Sequence, residues 1–186
     1  MRSRIILSMI VALALIACQK KPWAVYDGRT DDVGSFTIEY PDNKVKAYTT
    51  GVGMGDTCFP TSMSISTKGD DGQLLFTLQA SPSEEDFIEC QRAWQGDMVT
   101  SKVGNVSAMS STKTWGTVSF LNIPDQYVSV WMNESKDLSK LSHQIAATFK
   151  WLEPYDAAQS DTWGEHLKAA LEKASRLPEL PPNEDD

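Results

Sequence analysis

The chain has 186 residues, with 17 basic and 25 acidic side chains and a formal charge of −8. An acidic excess of this size repels phosphate backbones and anionic head groups, which excludes nucleic-acid binding as a leading role and favours a basic partner protein. The length suffices for one domain with a sizeable core, and no internal repeat is visible.

Arg2 and Arg4 precede an apolar run of thirteen residues from Ile5 to Ala17. As a helix this run reaches only ~20 Å, short of a ~30 Å hydrocarbon core. A positive start, a short apolar stretch and small residues at its end describe a secretory signal peptide. Leu15-Ile16-Ala17-Cys18 resembles the lipobox of bacterial lipoproteins, in which an apolar and a small residue precede the cysteine. The resemblance implies cleavage after Ala17, diacylation of Cys18 and acylation of the new amino terminus. Two or more acyl chains anchor a protein stably where one does not. Gln19 in place of an aspartate implies, by the same resemblance, the outer membrane, with the folded part in the periplasm. Residues 1–17 thus read as a leader and 18–34 as a lipidated tether, mixing charge, Pro and Gly. Residues 35–176 read as a single domain. The segment 177–186 reads as an acidic, Pro-rich tail expected to be disordered. Without the leader, 15 basic and 25 acidic side chains remain, because Arg2 and Arg4 leave with it.

From Ser35 to Tyr40 the pattern alternates, with Phe36, Ile38 and Tyr40 on one face of a strand that Pro41-Asp42-Asn43 stops. Thr61 to Thr67 alternates again, Lys68 to Gly72 is a turn, and Gln73 to Ser81 is a strand, so Thr61 to Ser81 predicts a hairpin. The period then changes. Ser81 is the expected N-cap, Pro82 the first helical residue, and Glu84, Glu85 and Asp86 fall in the first turn, where the helix dipole favours anions. Phe87, Cys90 or Gln91, and Trp94 share one helical face before Gly96. Three strands are expected next: Met98 to Met109 with a turn or bulge at Val103 to Val106, then Thr114 to Asn122 and Gln126 to Asn133 as a hairpin. A helix over 135–152 carries the stripe Leu138, Leu141, Ile145, Phe149 and Leu152, with Ser135 and Asp137 supplying the cap. Another helix, Asp161 to Leu177, carries Trp163, Leu167, Ala170, Leu171 and Ala174. Strands, helix, strands and helices in this order argue for an α+β fold: an antiparallel sheet flanked by helices, with an extra helix at the C-terminal end.

The strand Phe36-Thr37-Ile38-Glu39-Tyr40-Pro41, the hairpin, the mid-chain helix, the meander and the closing Ile145 to Lys150 segment together resemble the PsbP-like family, which includes bacterial envelope lipoproteins of the DcrB kind. The resemblance spans residues 34–152. It implies an α/β/α sandwich used as a binding or assembly module, and it carries no catalytic residues. The pair Cys58 and Cys90 and the helix after Trp151 depart from that family.

With Cys18 taken by lipid, Cys58 and Cys90 form an even pair in an oxidising compartment, which predicts a disulfide between them. It would close a loop of about 33 residues and contribute ~3–4 kcal/mol. No Cys-x-x-Cys spacing supports a catalytic dithiol. His143 and His166 are the two histidines; each reads as an ordinary helical histidine, since metal clusters need several close ligands. No Gly-x-Ser-x-Gly elbow is present. Gly69 to Gly72 lacks the spacing of a calcium loop, and Gly51 to Asp56 lacks the Lys-Ser/Thr of a phosphate loop. Tyr127 and Trp131 are in phase with Ser129, while Val128, Val130 and Met132 take the other face. If the valine face packs on the helices, Tyr127 and Trp131 look outward as partner-binding anchors; the alternative is that both faces are covered. These features together predict a non-enzymatic, periplasm-facing protein-binding lipoprotein without cofactor or metal. A small, acidic, disulfide-bearing envelope lipoprotein resembles immunity proteins, which neutralise secreted toxins. That resemblance, carried by no motif, implies such a role as the leading form, and an envelope assembly or uptake factor or a small periplasmic hydrolase are the alternatives.

Overall fold

In the computed structural model the described residues are 23–29, 34–50, 61–69, 71–91 and 97–177. The expected leader, Cys18, Cys58, Trp94, the Gly51 to Asp56 loop and all but the first residue of the tail lie outside them. The fold is α+β. Seven antiparallel strands form one sheet in the order β3-β4-β5-β9-β8-β7-β6, and three form a smaller sheet, β1-β2-β10. The large sheet comprises β3 (Val45–Thr50), β4 (Thr61–Thr67), β5 (Leu74–Ser81), β6 (Val99–Val103), β7 (Val106–Lys113), β8 (Gly116–Leu121) and β9 (Tyr127–Asn133). The small sheet comprises β1 (Ala24–Asp27), β2 (Phe36–Tyr40) and β10 (Lys150–Trp151). The helices are α1 (Glu84–Cys90), α2 (Ser139–Ala146) and α3 (Ala157–Ser175).

Both faces of the large sheet carry packed apolar layers. On one face Met63, Ile65, Phe76, Leu78, Val128 and Val130 join Phe36 and Ile38 of β2, Ile145 of α2, and Phe149 and Trp151 in one apolar cluster. This is the valine face of β9. On the other, Val118 and Phe120 of β8 pack under Phe87 of α1 and Leu167, Ala170 and Leu171 of α3. Strand β8, next to the central β9, is therefore buried at all six positions, and its polar residues need partners. They have them on the valine face. Ser119 Oγ lies 2.7 Å from Ser110 Oγ, and Thr117 Oγ1 donates to Glu134 Oε1 at 2.6 Å.

Several features differ from the sequence reading. α2 has Leu138 at its N-cap with no side-chain cap bond, in place of Ser135 or Asp137, and α3 runs Ala157–Ser175 from an Asp156 cap rather than Asp161 to Leu177. Ala24–Asp27, inside the expected tether, pairs as β1 with β2 from Ala24↔Tyr40 to Asp27↔Thr37. Val45–Thr50 forms β3 at the sheet edge. Ser81 stays in the sheet opposite Tyr127, so the N-cap of α1 is Ser83, whose hydroxyl accepts from Asp86 N at 3.1 Å. The second helix stops at Ala146, because the chain turns at Thr148, where Thr148 Oγ1 accepts from Glu39 N at 2.8 Å. Phe149 and Trp151 keep their place in the core, but as extended chain. Asn105 completes this junction, accepting from Trp151 N at 2.8 Å and donating to Trp151 O at 3.1 Å. Its neighbour Gly104 has φ +56°, and a Cβ there would sit 1.6 Å from Phe149 O.

Candidate functional site

Strand β9 sets Tyr127 and Trp131 on the same face, away from the valines, because side chains alternate along a strand. Their surroundings differ. The Tyr127 ring lies 5.3 Å from Phe87 and 5.3 Å from Trp163. Its hydroxyl is 3.1 Å from His166 Nε2 and donates to Glu84 Oε2 at 3.4 Å. Helices α1 and α3 thus close over it, and the outward position expected for Tyr127 is not found: both faces carry helices. Glu84 completes this end by accepting from Lys173 Nζ at 2.8 Å. That hydrogen bond holds the Glu84 carboxyl below its usual range, against the upward push of its partial burial. Burial, with the Glu84 charge beside it, raises the Tyr127 phenol.

Trp131 stands four residues further along β9, and among the described residues no helix closes over it in the same way. It lies opposite Thr77 of β5 and Val118 of β8. Its indole rests on Gly116, where an added Cβ would come 2.2 Å from Trp131 Nε1. A cavity of about 280 Å³ opens beside it, lined by Leu74, Thr77, Gln79, Gln91, Val118, Ser129 and Trp131. Gln91, which ends α1, is only 3% exposed, and its Oε1 has no hydrogen-bond partner. Two exposed apolar side chains flank the end of β9. Leu74 is 40% exposed and Trp115 54%. The Leu74 carbonyl accepts from Asn133 Nδ2 at 2.8 Å, and the Trp115 carbonyl from Glu134 N at 3.5 Å. One half-buried and two exposed apolar side chains, with amides and hydroxyls between, therefore share one end of the molecule.

Sequence reasoning found Trp131 and missed Leu74, Gln91 and Trp115. Trp115 carries a legible signal, since Thr114-Trp115 forms the tight turn between β7 and β8 and a tryptophan at a turn tip is exposed. Gln91 carries a partial one, as one of the two candidates for the apolar face with Phe87, and Leu74 carries none, because its position depends on pairing across the sheet.

Two other polar groupings lie elsewhere on the domain. Glu134 accepts from Ser139 Oγ and Thr117 Oγ1, both at 2.6 Å, and its Oε1 is 2.6 Å from His143 Nε2. Burial raises this carboxyl, but the bonds from Ser139, Thr117 and His143 together outweigh it and leave the group below its usual range. Ser139 goes to Oε2 and His143 to Oε1, so serine and imidazole meet the carboxylate separately. A nucleophilic relay needs the hydroxyl on the imidazole. A hollow of about 530 Å³ borders Pro124, Asp125, Trp163 and His166. Its aromatic groups are already engaged. Trp163 Nε1 donates to Gln126 O at 3.2 Å, and its ring stacks on His166 at 4.6 Å. Among the described residues no group of three or more His, Cys, Asp or Glu is placed to share a metal ion, and no helix is long and apolar enough to cross a membrane. Cys90, the last residue of α1, is disulfide-bonded. The expected partner, Cys58, lies outside the described residues.

Compared with known proteins, the chain matches no family model, no curated protein and no solved structure. The PsbP-like resemblance therefore rests on the residues quoted for it.

Proposed function

We propose that this chain is a non-enzymatic protein-binding module, held to the periplasmic side of the outer membrane by lipid on Cys18, with the Trp131 end of the sheet as its contact surface. One observation carries the proposal: the half-buried Trp131 indole shares a cavity with exposed Leu74, lined also by Thr77, Gln79, Gln91 and Ser129, and it rests on Gly116, the residue after exposed Trp115. An aromatic anchor within a rim of hydrogen-bonding groups is the make-up of protein interfaces and their energetic centres. The acidic excess, 15 basic against 25 acidic side chains once the leader is removed, steers a basic partner toward the domain. A secreted toxin with a basic surface is the partner class placed first, which makes the chain an immunity-type protein.

Site-specific photo-crosslinking in cells tests this. A crosslinking side chain at position 74 or 115 is expected to yield one discrete adduct in the envelope fraction, diminished by Trp131→Ala. The same group at exposed Lys44, on the turn into β3, is expected to yield none. No adduct from either position, or an adduct indifferent to Trp131→Ala, overturns the proposal.

A further inference from the structure

We infer that β6, one free edge of the large sheet, is a second docking site, which takes an extended basic segment of another protein as an eighth strand. Strand β6 stands last in the sheet order, and no described strand pairs with its outer side. Val103 and Val106 close the two-residue turn to β7. In such a hairpin the closing pair exchanges ladder bonds and the pairs alternate from there. Val99, Ser101 and Val103 thus bond β7, while the N–H and C=O of Thr100 and Lys102 point away from the sheet. Edges of this kind are ordinarily blunted by charged side chains, proline, a bulge or a covering segment, and of these β6 carries one charge, Lys102. β6 contains no proline, its register with β7 runs unbroken from Val99 to Val103, and Val99 is 59% exposed.

What lies beside this edge decides the chemistry of the incoming strand. Between β6 and α3 opens a groove of about 460 Å³ lined by Thr100, Met109, Asn122, Asp161, Gly164 and Glu165, among others. Asp161 and Glu165 are four residues apart on α3, one turn of one face. Asn122 Oδ1 is buried with no hydrogen-bond partner. Gly164 lets helix and asparagine approach, since a Cβ there would meet Asn122 Nδ2 at 2.7 Å. The groove therefore offers two carboxylates and an unused carbonyl, and no cation is among its lining residues. An added strand sends every second side chain to this face. A lysine or arginine beside Thr100 can pair with Asp161 or Glu165 and donate to Asn122. Lys102, two residues along on the same face, disfavours a second basic residue there and so selects the register. Main-chain bonds supply affinity and the groove supplies selectivity, as in other strand-addition complexes. This site is separate from the Trp131 end, and either can fail without the other.

The test uses the full folded chain and two blocked synthetic peptides, Val-Thr-Val-Lys-Val-Thr-Val and its counterpart with glutamate for lysine. With the lysine peptide, amide hydrogen exchange is expected to slow at Thr100 and Lys102, and the glutamate peptide is expected to bind about tenfold more weakly. Thr100→Pro removes one outward N–H and is expected to abolish the protection at Lys102. Should that variant fold poorly, Asp161→Lys with Glu165→Lys leaves the strand intact and is expected to weaken the lysine peptide about tenfold while sparing any partner bound at Trp131. The inference is overturned if neither amide is protected, if both peptides bind alike, or if the charge reversals leave the lysine peptide unaffected. It is also overturned if protection of β6 rises with protein concentration alone, since the occupant is then a second copy of the chain.

Discussion

The two ends of one sheet face, four residues apart on β9, have different surroundings. At the Tyr127 end, α1 and α3 bring Phe87, Trp163 and His166 around a phenol whose hydroxyl is bonded. At the Trp131 end, an indole rests on a glycine beside an open cavity. Alternation along a strand decides which face a side chain takes; what covers it there is decided by elements far away in sequence. Surplus aromatic residues are therefore assigned to core or to contact surface by helix placement.

The comparison can be broken most forcefully by truncation. Phe87, fully buried against Phe120 and Tyr127, is expected to cost ~3–5 kcal/mol on replacement by alanine. Trp131→Ala, at a half-buried site, is expected to cost about 1 kcal/mol. Urea denaturation of both variants measures the contrast, and equal losses erase it. A smaller effect is expected at the border between the two ends, where Cys90 closes α1. Cys90→Ser is expected to lower stability by ~2–4 kcal/mol. If the bond runs to Cys58, then Cys58→Ser does the same and the double variant costs no more than either. Mass mapping without reductant checks the bond itself: two alkylatable thiols at 58 and 90 contradict the pairing.

The mildest effect concerns pH. The folded-state value of Glu84 lies below its unfolded one, so the stability it lends is complete above about pH 4.5 and is lost as pH falls through the lower folded value. Glu84→Gln is therefore expected to lower stability at pH 7 and to flatten the acid limb of the stability curve. Trp131→Ala is expected to leave that limb unchanged. Thermal melts at a series of pH values separate the two.

Much of this arrangement was legible in the chain. The strand at Phe36 to Tyr40, the β4–β5 and β8–β9 hairpins, the acidic first turn of α1 and the C-terminal helix all carry strong local patterns. The misses share a cause. β1 is four residues with an exposed Val25, and it exists because Tyr26 meets Ile38 across the ladder. β3 sets Lys46 and Tyr48 on one face, a composition that reads as loop until β4 lies beside it. The second helix was read too long because Phe149 continues an apolar spacing that the fold satisfies with extended chain. At the candidate site the phase of Trp131 was visible, whereas the covering of Tyr127 was not. Its neighbours Glu84, Trp163 and His166 stand 36 to 43 residues away along the chain.

The most direct test of the Trp131 end as a contact surface is the affinity of the crosslinked partner, once identified, for the Trp131→Ala variant. A Kd weakened about tenfold or more is expected, with the fold intact by circular dichroism and with Tyr127→Phe binding as the unaltered chain does. An unchanged Kd for Trp131→Ala contradicts it.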